Sequence, residues 1–214
     1  PLLVITALVL AILANRATKM KKGLRIIYYL PSVLSVSVAS FIAKYVFSPY
    51  TGLINGIMHA IGVLPADQEM QWLNDPGLVW WTISLMTVWW TIGFSMLLYL
   101  SALQDISTDI YEAASIDGAT KRQQLFSIVL PLLKPTTWLV ILLQMIACVK
   151  VFGQIYMITG GGPASSTRPM VQYIYENAFE KNNMGYAAAM SYVLFAILLI
   201  LSLGQQMLQR KGEE

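Results

Sequence analysis

Apolar residues fill this chain in long runs, and more polar segments separate them. After an opening run over 1–14, four more extend over about 26–47, 77–100, 132–158 and 184–208. A helix rises about 1.5 Å per residue, so a run of about 20 apolar residues crosses a hydrocarbon core roughly 30 Å thick. A chain inside lipid must satisfy its own backbone, which leaves helices or closed barrels. None of these runs shows the strict alternation of a barrel strand, so helices are expected throughout. The run 1–14 reaches only roughly 21 Å at that rise. It is read as the second part of a helix whose beginning lies outside this chain, and without a basic leader it does not resemble a signal peptide. Pro31 and Pro135 are expected in first turns, where a missing N–H costs least. The predicted fold is an all-α polytopic membrane protein of about five spans, the first partial. Residues 1–214 would form a single transmembrane domain, with a cytoplasmic segment at 101–131.

The connections differ in charge. Arg16, Lys19, Lys21, Lys22 and Arg25 precede the second run, Lys121 and Arg122 lie in 101–131, and Arg210 and Lys211 close the chain. The segments 48–76 and 159–183 hold only Arg168 and Lys181 between them. Nine cations against two place the first set, and with it the C-terminus, on the cytoplasmic side by the positive-inside rule. Tyr28 and Tyr29 fall near one interface and Trp72, Trp80 and Trp81 near the other, where belt aromatics belong. Between them, Gly52 to His59 could lie flat on the outer surface. His59, the lone histidine, reads as an interfacial side chain, because no second His or Cys stands ready to share a metal.

Composition agrees. Hydrophobic residues make up 57% of the chain and charged ones 12%, against about 45–50% and about 25% in soluble domains. There are too few charges to cover a soluble fold of this size. No basic tract with interleaved aromatics suggests nucleic acid. Cys148 is the one cysteine, which excludes an internal disulfide and reads as an inert buried thiol.

The segment 101–131 is too long for a plain helix connection. Residues 105–117 read as a helix, with apolar positions 106, 110, 113 and 114 at near-helical spacing and acids on other faces. Gly118 breaks it, and a second short helix runs from Lys121 to Val129. Glu112-Ala113-Ala114, three residues, Gly118, nine residues, then Ile128-x-Leu130-Pro131 resembles the coupling motif of binding-protein-dependent importer permeases. Thr159-Gly160-Gly161-Gly162-Pro163 after Lys150-Val151-Phe152 resembles the sugar branch, similar to maltose and glycerol-phosphate permeases. The resemblance covers about residues 8–208, without the family's first membrane helix. It implies a multi-pass permease of a bacterial or archaeal inner membrane that is not itself an enzyme. Its implied partners are an ATP-binding-cassette ATPase dimer, a second permease subunit in a heterodimeric or homodimeric core (the heterodimer preferred), and an extracytoplasmic solute-binding protein. ATP and Mg would belong to the ATPase, and this chain would carry no cofactor or metal of its own.

Physical chemistry supports that assignment for Glu112, Ala113, Ala114, Asp117 and Gly118. Two alanines give a flat face that another backbone can approach closely. Glu112 offers a carboxylate for a bidentate arginine pair, and Gly118 permits a positive-φ turn. A helix resting on lipid would suffer from its acids Asp105, Asp109, Glu112 and Asp117 beside anionic headgroups. No phosphate-cradling Gly-x-x-x-x-Gly-Lys-Ser/Thr is present, and Gly160-Gly161-Gly162 reads as a flexible outer turn.

Polar groups at membrane depth are candidates for a solute path. Lys150 and Gln154, spaced one helical turn apart, would share a face. Trp89 lies mid-run with Trp90, and sugars offer C–H faces for rings and hydroxyls for amides. Trp89, Gln144, Lys150 and Gln154 therefore form a candidate pathway, with plain helix packing as the competing account. Lys44, nearer its helix end, is expected to snorkel. Ala187, Ala188, Ala189 and Ser191 suit close helix packing. The rival functions are an ATPase-independent secondary transporter or channel, and a membrane enzyme. The first wants carboxylates within a span and the second a nucleophile with a base, and neither pattern is present in the runs.

Overall fold

The computed structural model describes residues 1–16, 21–65 and 67–211. Lys19, and the side chains of Arg16, Lys21, Lys22 and Lys211, lie outside the described residues. Every helix or strand assigned among the described residues is a helix. In chain order they are α1 (Leu2–Arg16), α2 (Lys21–Tyr29), α3 (Val36–Val46), α4 (Leu53–Ala60) and α5 (Val79–Gln104). Then come α6 (Thr108–Ile116), α7 (Lys121–Gln124), α8 (Leu130–Leu132), α9 (Lys134–Val149), α10 (Gly153–Ile158), α11 (Met170–Tyr175) and α12 (Met184–Lys211). The all-α membrane fold is as expected. Among the described residues, two helices are by themselves long and apolar enough to cross a membrane, Val79–Gln104 and Met184–Arg210. The other apolar runs are built from shorter or broken pieces.

The chain divides into two compact units. The first comprises Pro1–Val33 and Trp90–Met145. Here α2 runs into a 3₁₀ turn over Leu30–Val33 that contains Pro31. Pro31 therefore does not open a helix, as expected from the sequence; it follows α2, where its missing N–H leaves an α-helical bond unmade and the chain tightens. The same turn passes directly over α5 at Gly93. A Cβ there would stand 2.5 Å from Tyr28 O and 2.7 Å from Tyr29 Cα, so only glycine lets these backbones cross. Pro135 does sit in the first turn of α9. A π-helical turn over Leu125–Val129 precedes Pro131, and the pieces on either side of Leu133 are bent by 59°. Tyr99, Met96, Leu100, Leu133 and Val140 are the large buried side chains of this unit.

The second unit comprises Leu34–Trp89 and Ile146–Glu214, of which residues up to 211 are described. Val79 and Ile83 of α5 pack with Ile155 of α10, with Val151 beside them. Helix α10 runs close to α3, where a Cβ on Gly153 would be 3.3 Å from a Val36 methyl. The expected single run over 132–158 is broken here, since α9 ends at Val149 and α10 starts at Gly153. Phe152 stands between them at φ −145, ψ −71, outside helical geometry. Hydropathy continues across the break, so apolar composition alone could not reveal it. Cys148 is exposed rather than buried, because it lies on a face of α9 that this chain's own residues leave uncovered. Of Ala187, Ala188, Ala189 and Ser191, Ala187 alone is buried.

Candidate functional site

The segment after α5 forms a rigid elbow within the first unit. Ser107 caps α6, its hydroxyl accepting from Asp109 N at 3.2 Å. At the other end Gly118 adopts φ +78. Its N–H donates to Ser115 O at 3.2 Å, and Ala119 N donates to Ala114 O at 2.9 Å. This pair of bonds is a Schellman closure, which needs a left-handed residue at the position Gly118 holds. Thr120 then starts α7 with a full capping box against Gln123, so the turn from one helix to the next leaves few orphan backbone groups. Buried Gln124 ties the two arms together by donating to Ser115 Oγ at 2.9 Å. The Ser115 hydroxyl in turn donates to Tyr111 O at 2.7 Å, and burial pushes the Tyr111 phenol above its ordinary pKa.

That architecture leaves one face of α6 open. Glu112, Ala113, Asp117 and Gly118 are exposed, whereas Ala114 is buried against its own unit. The expected flat face of two alanines is thus Ala113 alone, since Ala114 occupies the inner side of the helix. Ile116, one helical turn beyond Glu112, is 86% exposed. It is not among the apolar positions 106, 110, 113 and 114 that mark the helical spacing. The signal that could have exposed it was its helical phase, which falls with Asp109 and Glu112 rather than with Ala114.

The intramembrane candidates behave differently. Gln144, in the first unit, donates to Ser95 Oγ at 2.9 Å. In the second unit Gln154 donates to Thr87 Oγ1 at 2.8 Å, Trp89 is 40% exposed, and Lys150 is exposed at the end of α9. Lys150 lies in the break at 150–152 and Gln154 in α10, so they do not share a helix face as their spacing predicted. Both amides use a donor for helix-to-helix bonds.

The segments 48–76 and 159–183 of the second unit are held by buried polar side chains that the sequence did not single out. Asn55, 1% exposed, donates to Pro49 O, Glu69 Oε2 and Met70 O, and accepts from Trp72 Nε1. His59 Nε2 stands 3.5 Å from Glu69 Oε1. The Gly160–Gly162 turn, expected to be flexible, is instead hydrogen-bonded on every side. Fully buried Thr167 donates to Gly162 O at 2.6 Å and pairs with Thr159 Oγ1 at 2.9 Å. Gln172 donates to Gly160 O and to Glu176, which also pairs with Arg168. Arg168 and Lys181, the two cations of this segment, both lie over the Tyr173 ring. Among the described residues, no three His, Cys, Asp or Glu side chains stand together as a metal site.

A family model described as the inner membrane component of binding-protein-dependent transport systems matches residues 4–212. The sulfoquinovosyl glycerol transport system permease protein SmoG of Agrobacterium fabrum is 34% identical over 88% of this chain and 60% of its own length. The lactose transport system permease protein LacF of Rhizobium radiobacter is 34% identical over 94% of this chain and 68% of its own. The chain spans roughly three fifths of the length of the first curated relatives it matches. Among solved structures, a bacterial ABC transporter involved in the import of the acidic polysaccharide alginate superposes with a TM-score of 0.86 at 24% identity. That match covers 96% of this chain and 71% of the other, and it establishes the shared fold.

Proposed function

The chain belongs to the family of binding-protein-dependent transport system inner membrane components, and on that premise we propose that it is the permease subunit of an ATP-driven sugar importer. The observation that carries this is the elbow over 107–124, rigid by its own hydrogen bonds yet presenting Glu112, Ala113 and Ile116 outward. A loop that transmits force must not deform when pushed, and it must offer both an apolar contact and an oriented charge. Ile116 supplies the first and Glu112 the second, as a carboxylate suited to a bidentate arginine. Asp117 and Gly118 end the helix, so the face stops at a defined point.

In this reading the elbow docks on one subunit of an ATPase dimer, which holds ATP and Mg. A second permease completes the path, and an extracytoplasmic binding protein delivers solute to the outer segments. Closure of the ATPase pair moves the elbow, and the membrane helices rock between outward and inward openings. The charge asymmetry supports placing the elbow and the C-terminus in the cytoplasm. The sulfoquinovosyl glycerol and lactose permeases among the relatives support a sugar or glycoside as solute. Trp89, Gln144, Lys150 and Gln154 remain the proposed path residues. Gln144 and Gln154 act there as helix positioners unless solute displaces Ser95 or Thr87.

The test is purification of the full-length protein from native membranes in mild detergent, wild type against Glu112→Arg. An ATPase and a second permease should accompany wild type, and the ATPase should be lost from the variant. A protein that emerges without an ATPase in both samples would overturn the proposal and favour a secondary carrier or channel.

A further inference from the structure

The second unit contains a cavity of about 400 Å³ that none of the expected site residues lines. Three stretches enclose it: the end of α3 with the turn after it (Lys44, Phe47, Ser48, Pro49), the outer segment at Leu73 and Asn74, and the glycine-rich turn from Ile158 to Pro163. Ligand pockets run from about 300 to about 1,000 Å³ and combine apolar walls with a few placed polar groups. Here Phe47, Pro49, Leu73, Ile158 and Pro163 form the walls.

The walls are fixed before any ligand arrives. Asn55 pins Pro49 O on one side and Trp72 on the other, and Phe47 packs edge-on to Trp72 with centroids 6.0 Å apart. Thr167 and Gln172 hold the opposite rim through Gly162 O and Gly160 O. A cavity whose two sides are each clamped by a buried amide loses little entropy on binding.

Its polar lining has a definite sign. Lys44 contributes an ammonium with three donors. Among the described residues no carboxylate lines the cavity, and Lys44 takes part in neither the His59–Glu69 contact nor the Arg168–Glu176 ion pair. Asn74 donates to Gln71 at 3.1 Å, which leaves its carbonyl oxygen to accept. Ser48 and Asn74 can thus meet hydroxyls while Lys44 meets a negative group.

Resting on the importer proposal and narrowing it, we propose that this cavity is an outer subsite for a sugar that carries an acidic group: a carboxylate, sulfonate or phosphate. Lys44 is the specificity-determining residue, and Ser48 and Asn74 receive ring hydroxyls.

The experiment is calorimetric titration of the native complex in nanodiscs with D-glucuronate and with D-glucose, in wild type, Lys44→Gln and Lys44→Arg. A hydrogen bond to a charged group favours glucuronate by about tenfold in wild type. The preference should vanish in Lys44→Gln and survive in Lys44→Arg. Equal affinity for the two sugars in wild type, a preference that persists in Lys44→Gln, or loss of both sugars in both variants would overturn it. Copurification of the ATPase is scored on the same samples. Its absence with the preference intact overturns the importer reading alone, and its presence without a preference overturns the subsite alone.

Discussion

Gly118 and Gly161 both stand at φ above +70°, but the second is constrained by its neighbours as well as by its backbone. At Gly118, φ is +78 and an added Cβ would meet nothing within 4 Å. At Gly161, φ is +91 and the Cβ would stand 2.8 Å from Gln172 Nε2 and 3.3 Å from Arg168 Cβ. The first glycine is needed only for its backbone conformation, in an elbow whose outer face stays open. The second is needed for conformation and for space, in a turn packed around buried amides. An exposed turn is built to meet something outside the chain, whereas a packed one is built to hold its own neighbours still. The comparison therefore separates the turn proposed as a docking surface from the rim of a cavity.

The largest effect should fall on the packed turn. Gly161→Ala should destabilise the protein by about 3–4 kcal/mol, combining the left-handed penalty with displacement of a buried hydrogen-bonded amide. Its thermal unfolding in detergent should start well below that of wild type. Gln172→Leu removes the bonds to Gly160 O and Glu176 while keeping most of the volume, and should cost about 2 kcal/mol by the same measurement. Were Gly161→Ala no worse than Gly118→Ala, the distinction between the two turns would collapse.

Much of this was legible in the chain before its coordinates. The run 77–100 became α5 over Val79–Gln104, and 184–208 became α12, because an unbroken apolar helix advertises itself in composition. The elbow was legible too, since Gly118 interrupts a helical pattern with one residue type that has one physical use. The breaks inside apolar runs were not. The break at Lys150–Phe152 and the 3₁₀ turn at Pro31 fall inside runs of high average hydropathy, and beside each a distant segment approaches closely. Val36 at Gly153 and Tyr28 at Gly93 are such approaches, and no local pattern encodes them. Asn55, Thr167 and Gln172 were equally silent. A buried amide reads as an ordinary loop residue until the carbonyls it satisfies are known.

The smaller effects test the open turn. Gly118→Ala should cost about 1 kcal/mol, the conformational penalty alone, measured by the same unfolding shift. Ile116→Ser should change stability least, by less than about 0.5 kcal/mol. At 86% exposure, the isoleucine side chain has little contact to lose within its own fold. On the importer proposal, this open aliphatic side chain is the apolar part of the ATPase contact. The variant should therefore unfold like wild type and yet purify without its ATPase. A fall in stability beyond about 1 kcal/mol would show that Ile116 belongs to the chain's own packing. Unchanged copurification at unchanged stability would move the contact elsewhere on α6, to Glu112 and Ala113 without help from Ile116.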